Sequence, residues 1–115
     1  MLIKKVQGTY IIATAATGAI ISPGDVVGFV QGEVVLSDKD SGIPAEGIAK
    51  HVESDTITVQ TAGKFSNSNA GDDYWLGTSG TIVSAVPTSG IIQKIGKRTN
   101  TSEILITIDR TVIVL

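Results

Sequence analysis

The chain has no cysteine, which excludes disulfide scaffolds, thiol nucleophiles and thiolate-ligated zinc. No run of 18 apolar residues is present, so a membrane-spanning helix is not expected. Helical periodicity is missing as well, because no stretch of a dozen residues places apolar side chains at i, i+3, i+4 and i+7. Charged residues make up only 17% and aromatic residues 4%. The net charge is -2, which gives no general attraction to nucleic acid. The opening Met1-Leu2-Ile3-Lys4-Lys5 and the apolar stretch from Tyr10 to Ile21 imitate a secretion signal. Gln7, Gly8 and several threonines interrupt that stretch, so it is not read as one.

What is present is apolar and β-prone. At 115 residues the chain suits one domain or two very small packed units. A monomer of 11.9 kDa is expected to expose roughly 6,000 Å2. Hydrophobic residues reach 42% and the mean hydropathy is +0.28. That excess of apolar surface points to burial between subunits. The 13 glycines recur every few residues with β-branched residues between them, the pattern of short strands and tight turns.

The alternation is clearest from Glu103 to Asp109, where Ile104, Ile106 and Ile108 share one face and Leu105, Thr107 and Asp109 the other. Thr56 to Thr61 repeats it, with Ile57 and Val59 inward and Thr56, Thr58 and Gln60 outward. Asp25 to Val30 and Glu33 to Leu36 flank a two-residue turn, Gln31-Gly32. Tyr74 to Leu76 and Thr81 to Ser84 flank Gly77-Thr78-Ser79-Gly80. Further strands are expected at Ile91 to Lys97 and Thr111 to Leu115. The last is too apolar to dangle in water and must pair within the fold or with a neighbour.

Laid on itself at an offset of 47, the chain aligns Gly24-Asp25 with Gly71-Asp72, Ile48 with Ile95, and Ile57 with Ile104. Residues 24–62 and 71–109 therefore read as two copies of one unit, each too small to cover its own apolar face. The expected fold is all-β: a small β-sandwich or barrel of short antiparallel strands with a 47-residue pseudo-repeat, assembled as a trimer.

Catalytic chemistry finds little support. His51 follows the strand Gly47 to Lys50 beside Glu53 and Asp55 and has no Gly-x-Ser-x-Gly nucleophile or second nitrogen ligand to work with. Asp38-x-Asp40-x-Gly42 resembles the start of a calcium loop but lacks its third acid and closing glutamate. Asp72-Asp73 would face opposite sides of a strand, and Asp72, like Asp25, reads as a turn acid. Gly77 to Gly80 lacks the lysine and helix of a phosphate loop. Lys94, Lys97 and Arg98 form the densest basic group, with Lys94 and Lys97 of opposite parity on a strand. No enzyme activity, metal or cofactor is expected.

The order Gly24-Asp25-Val26-Val27, Gly47-Ile48-Ala49, Thr56 to Phe65, Tyr74-Trp75-Leu76-Gly77, Pro87-Thr88-Ser89-Gly90, Ile92 to Lys97 and Glu103 to Ile106 resembles the small β-domain of tailed-bacteriophage virion proteins: head fibres, capsid decoration proteins and some tail-fibre segments. The resemblance covers about residues 20–109 and is carried by turns and strands, most specifically the Tyr-x-Leu-Gly, Pro-Thr-Ser-Gly and Gln-Lys-Ile-Gly order. It implies a β-rich homotrimer on the outside of a virion, made in the host cytoplasm. The chain's own Met1 and its end at Leu115 lead to the expectation of a stand-alone decoration protein or head-fibre base without a receptor-binding tip.

The expected organisation is an N-terminal docking segment, residues 1–20, followed by a β-domain, residues 21–115. Leu2, Ile3, Lys4 and Lys5 are expected to contact the major capsid protein lattice. Val112, Ile113, Val114 and Leu115 are expected at the trimer interface. No nucleic-acid or membrane partner is expected. The alternative is a receptor- or carbohydrate-binding module of a tail or head fibre, with Tyr74 and Trp75 exposed as its ligand platform.

Overall fold

The structure is a computed structural model that describes residues 10–109 and 111–115. Leu2, Ile3, Lys4 and Lys5 lie outside the described residues. The described residues form an all-β chain without helix. Strands β1 (Tyr10–Thr14), β2 (Val26–Val30), β3 (Glu33–Leu36), β4 (Gly47–Glu53) and β5 (Thr56–Gln60) build the first sheet. A second sheet uses β6 (Gly63–Ser66), β7 (Asp73–Leu76), β8 (Ile82–Val83), β10 (Lys94–Asn100) and β11 (Glu103–Ile106). Between them in the chain, β9 (Ile91–Ile92) pairs with the terminal β12 (Ile113–Val114) as a separate ribbon.

Turn chemistry sets the hairpins. Gln31 and Gly32 both hold positive φ, 52° and 80°, the backbone a two-residue turn needs to match strand twist. They join β2 to β3 with Val30 opposite Glu33. The first sheet runs β1-β5-β4-β2-β3 and the second β6-β11-β10-β7-β8, so both follow one connection order. Val26 and Asp73, Gly47 and Lys94, and Thr56 and Glu103 open equivalent strands, each pair 47 residues apart. The inner strands depart from this correspondence. Val27 lies opposite Gly47, whereas Tyr74 lies opposite Gly96 across an irregularity between Lys94 and Gly96.

The first sheet curls until its edges meet. Ala15 bridges Val34 in parallel, and the Ala16 N–H donates to the Val34 carbonyl at 2.9 Å. Inside lie Val27, Val34, Ala49, Ile57 and Val59, with Ile11, Ala13 and Ala15 of the β1 side against them. The fold thus begins by Tyr10 rather than at residue 21, and the described part of the expected docking segment is an edge strand. The alternation Ile11, Ala13, Ala15 carries it, but Tyr10, Ile12 and Ala16 on the other side blur the pattern into a uniformly apolar stretch.

A second core lies between the sheets. Val26, Ala45 and Ile48 of the first unit pack with Tyr74, Leu76 and Ile95 of the second. Burying each large side chain is worth about 1.5–3 kcal/mol. Backbone pairing stitches the same boundary: Val26 N–H to Gly80 O at 2.8 Å, Gly80 N–H to Ser37 O at 2.7 Å, and Ile91 N–H to Lys39 O at 2.8 Å. Gly80 is required there, because it combines φ of 78° with a position where a Cβ would come within 2.8 Å of Leu36.

Two buried glutamines complete the junction. Gln60, expected outward, turns in at the end of β5 and donates to the carbonyls of Ala62 and Lys64 at 3.0 and 2.7 Å. Gln93 accepts the Ala45 N–H at 2.7 Å and donates to the Ala45 and Asp109 carbonyls at 3.1 and 2.9 Å. Its amide pairs with Ala45 as a neighbouring strand would.

Replacing Gln93 by leucine strands both backbone groups of Ala45 in the core. Gln93→Leu is expected to cost about 2–4 kcal/mol in urea unfolding. The exposed Lys50→Ala should stay within about 0.5 kcal/mol of the parent.

Candidate interaction surfaces

The residues singled out in the sequence are dispersed. His51 is exposed, with Nε2 3.6 Å from Glu53 Oε1 and both side chains largely in solvent, a pair worth little. Asp38 closes its own loop: one carboxylate oxygen accepts the N–H groups of Asp40 and Ser41 at 2.8 and 3.2 Å, the other that of Ser79 at 3.2 Å. The Asp40 N–H is the main reason its carboxyl is held below the ordinary aspartate value. Asp40 instead pairs with Lys39 at 2.9 Å. Among the described residues no three His, Asp or Glu side chains converge on a metal position. Asp25 accepts the Ser22 N–H at 2.8 Å, the turn role read from the sequence. Gly77 to Gly80 forms the β7–β8 turn, with the Gly77 N–H on the Thr81 carbonyl at 2.8 Å.

Tyr74 does not offer a ligand platform, because it is 1% exposed. On β7 it faces the core, and its hydroxyl meets the carbonyls of Asn69 and Gly71 at 2.7 and 3.0 Å. Arg98 fastens the same loop. Its Nη1 donates to the carbonyls of Asn67 and Asn100, both at 2.9 Å, and its Nε to Tyr74 Oη at 3.0 Å. Its Nη2 reaches Asn67 Oδ1 at 3.1 Å and also contacts Asn69 O and Tyr74 Oη. The guanidinium fork thus organises residues 67–71 through neutral oxygens. Nothing in the sequence marks Arg98 for this, since apart from Asn100 O its acceptors lie 24 to 31 residues away, on the Tyr74 hydroxyl and the 67–71 loop.

Trp75, one residue on, faces outward and is half-buried. It stands opposite Lys94 on β10 and Val83 on β8. The irregularity between Lys94 and Gly96 resets strand parity. Lys94 and Lys97 therefore both reach Asp73 Oδ1, at 2.9 and 3.7 Å, where simple alternation had them on opposite faces. Lys94 beside it is the main cause of the lowered Asp73 carboxyl. Lys97 is also opposite Leu105, which is opposite Lys64. The outer face of the second sheet thus carries Trp75 and Leu105 among three lysines.

The terminal ribbon presents the other apolar surface. Val112 packs on the shared core, but Ile113, Val114 and Leu115 are 57%, 71% and 68% exposed. Two cavities are shallow. One of about 280 Å3 at the end of the first unit is lined by Ala15, Ala19, Ile21, Glu33 and Asp55 among others. Another of about 450 Å3 lies between β1 and the β2–β3 hairpin beside Ile11 and Phe29.

Lysine in place of Arg98 keeps the charge but loses the planar fork. Arg98→Lys is expected to cost about 1–3 kcal/mol in chemical denaturation and to raise amide exchange selectively at residues 67–71. Because the Asp38 carboxyl is lowered by folding, the unfolded chain binds more protons in the acid range. Its contribution to stability is therefore present above the ordinary aspartate range and lost as pH falls through the lowered folded value. Asp38→Asn should flatten the loss of stability below about pH 4, read from urea midpoints against pH.

No known protein family, curated protein or solved structure matches this chain.

Proposed function

We propose that the chain is a tailed-bacteriophage virion structural protein, a capsid decoration or head-fibre base protein that binds the outside of the assembled head as a homotrimer and stabilises it. The observation that carries the reading is the uncovered apolar strip Ile113, Val114 and Leu115 on the terminal strand. The chain exposes 6341 Å2, close to the roughly 6,000 Å2 expected of a monomer. The argument for association therefore rests on where apolar side chains concentrate, not on total area. Strips of this kind brought together around an axis would bury large side chains at about 1.5–3 kcal/mol each. The shared strand order of the two sheets supports reading residues 24–62 and 71–109 as duplicated copies of one unit. A body locked through a common core suits a part that must persist on a particle.

Stabilisation of the head follows from mass action: a ligand that binds the assembled lattice and not free subunits stabilises the lattice. Three linked sites make that binding tight from modest contacts. The lattice contact is assigned to Leu2, Ile3, Lys4 and Lys5. A second reading, recognition of a host-surface carbohydrate, rests on Trp75 alone, since Tyr74 is buried. No catalytic residue is assigned.

Sedimentation equilibrium at micromolar concentration should return about three times 11.9 kDa, and Val114→Asp should return the monomer. The trimer should co-sediment with assembled heads of the phage that encodes it and not with unassembled capsid subunits. A monomeric parent chain, or equal binding to free subunits, would overturn the reading. Glycan binding lost in Trp75→Ala, with head binding absent, would favour the recognition module.

A further inference from the structure

Charge is divided unevenly along the chain. Residues 10–62 hold seven Asp and Glu against two Lys and no Arg, a net of -5. Residues 63–115 hold five Lys and Arg against four Asp and Glu, a net of +1. The two halves also expose apolar groups of complementary setting. At the end of the first unit, Ile20 is 83% exposed. Its neighbours Ala19 and Ile21 line the same cavity as Glu33 and Asp55. Glu53 opens the Ser54–Asp55 turn at that end. This corner is an apolar tooth among carboxylates. On the outer face of the second sheet, Trp75 and the exposed Leu105 stand among Lys64, Lys94 and Lys97. That face is an apolar patch among ammonium groups.

We infer that the outer face of the second sheet receives the Ile20 corner of a second copy of this chain, with Ile20 against Trp75 and Leu105 and with Glu33, Glu53 and Asp55 against Lys64, Lys94 and Lys97. The inference rests on the trimeric reading and deepens it by naming a seam. An apolar centre with a charged rim is the usual anatomy of a protein interface. Where each copy offers its corner to one neighbour and its lysine face to another, the contact is heterologous, and a heterologous contact that closes generates a ring rather than a two-fold dimer. Charge complementarity favours the second copy as occupant: with Asp73 and Glu103 counted against Lys64, Lys94 and Lys97 the face keeps a net of +1, and the chain itself carries the acidic corner that would meet it. Asp73 holds Lys94 at 2.9 Å and Lys97 at 3.7 Å, which fixes both ammonium groups on the face before docking. Among the described residues no carboxylate pairs with Lys64, which is exposed.

The test is a charge exchange on the full chain, read by sedimentation equilibrium with circular dichroism as the check on folding. Lys64→Glu with Lys97→Glu should weaken association at least about tenfold. Glu53→Lys with Asp55→Lys should do the same, and all four changes together should restore it. Ile20→Ser should weaken association about as much, and rising salt should weaken the parent assembly. All sites are on the surface, so recovery in the four-fold exchange also separates a lost contact from a lost fold. Parent-like association in both charge variants and in Ile20→Ser, with Val114→Asp monomeric, overturns this seam and leaves the trimer standing. A parent chain that is monomeric in all conditions overturns the trimer and the seam with it. Unchanged association with loss of binding to an acidic polysaccharide such as heparin in the lysine variant alone overturns the second copy in favour of an anionic polymer.

Discussion

The fold turns on one obligation, to satisfy the backbone of Ala45 where the two sheets meet. Ala45 is buried in the shared core with Val26, Ile48 and Leu76, and no strand of either sheet pairs with it. An unpaired amide there would cost about as much as a core methylene cluster gains. Gln93 meets the obligation by presenting its side-chain amide as a surrogate peptide bond, accepting from Ala45 N–H and donating to Ala45 O. The same amide ties Asp109 O, just beyond β11. One side chain therefore binds the first unit's connecting loop, the second unit's entry to β10 and the chain leading to the terminal ribbon. The apolar packing between the units depends on that loop running through the core at all.

Where period-two alternation was undisturbed, the sequence could be read directly. Ile57, Val59, Ile104 and Ile106 are buried as their spacing requires, and Gln31-Gly32 adopts the turn its position between two β-prone runs suggests. The features that escaped are those in which a polar or irregular residue breaks that rule for a tertiary reason. Gln60 has outward parity by simple counting, yet the chain turns at Thr61 and its amide caps the crossover into β6. Lys94 and Lys97 differ in parity by counting, yet the irregularity before Gly96 brings both to Asp73. The exposed Tyr74-Trp75 platform of the alternative reading is split, because adjacent strand residues face opposite sides and Tyr74 is buried in the core. Arg98 carries no local signal, because all its acceptors but Asn100 O lie on the distant 67–71 loop and the Tyr74 hydroxyl.

The first sheet turns back on itself while the second stays open. The first meets itself at Ala15 and Val34, with a cavity between β1 and the β2–β3 hairpin beside Ile11 and Phe29. The second sheet ends at β6 and β8, and the ribbon of β9 and β12 lies apart from it as a separate pair. Its outer face and the ribbon thus hold most of the large apolar side chains left outside a core, with Ile20, Val30 and Val86 elsewhere. The acidic residues, by contrast, gather on the first unit, with a net of -5 over residues 10–62, where like charge discourages two copies from pairing acid face to acid face.

Symmetry decides how such surfaces can serve a three-fold assembly. A free edge of β12 invites the antiparallel pairing of two identical strands, and that contact is two-fold symmetric, closing at two copies. A trimer built from the terminal ribbon must therefore use the side chains of Ile113, Val114 and Leu115, brought together around an axis, rather than the ladder of the strand. Backbone edges left open in such an arrangement would still permit two-fold errors. A head-to-tail contact between an acidic corner and a lysine face disfavours the pairing of two identical edges, because it sets unlike charges against each other and, where it closes, generates a ring. In the proposed trimer, specificity would come from the electrostatic seam and cohesion from the apolar one, a division of labour that needs both surfaces on every copy.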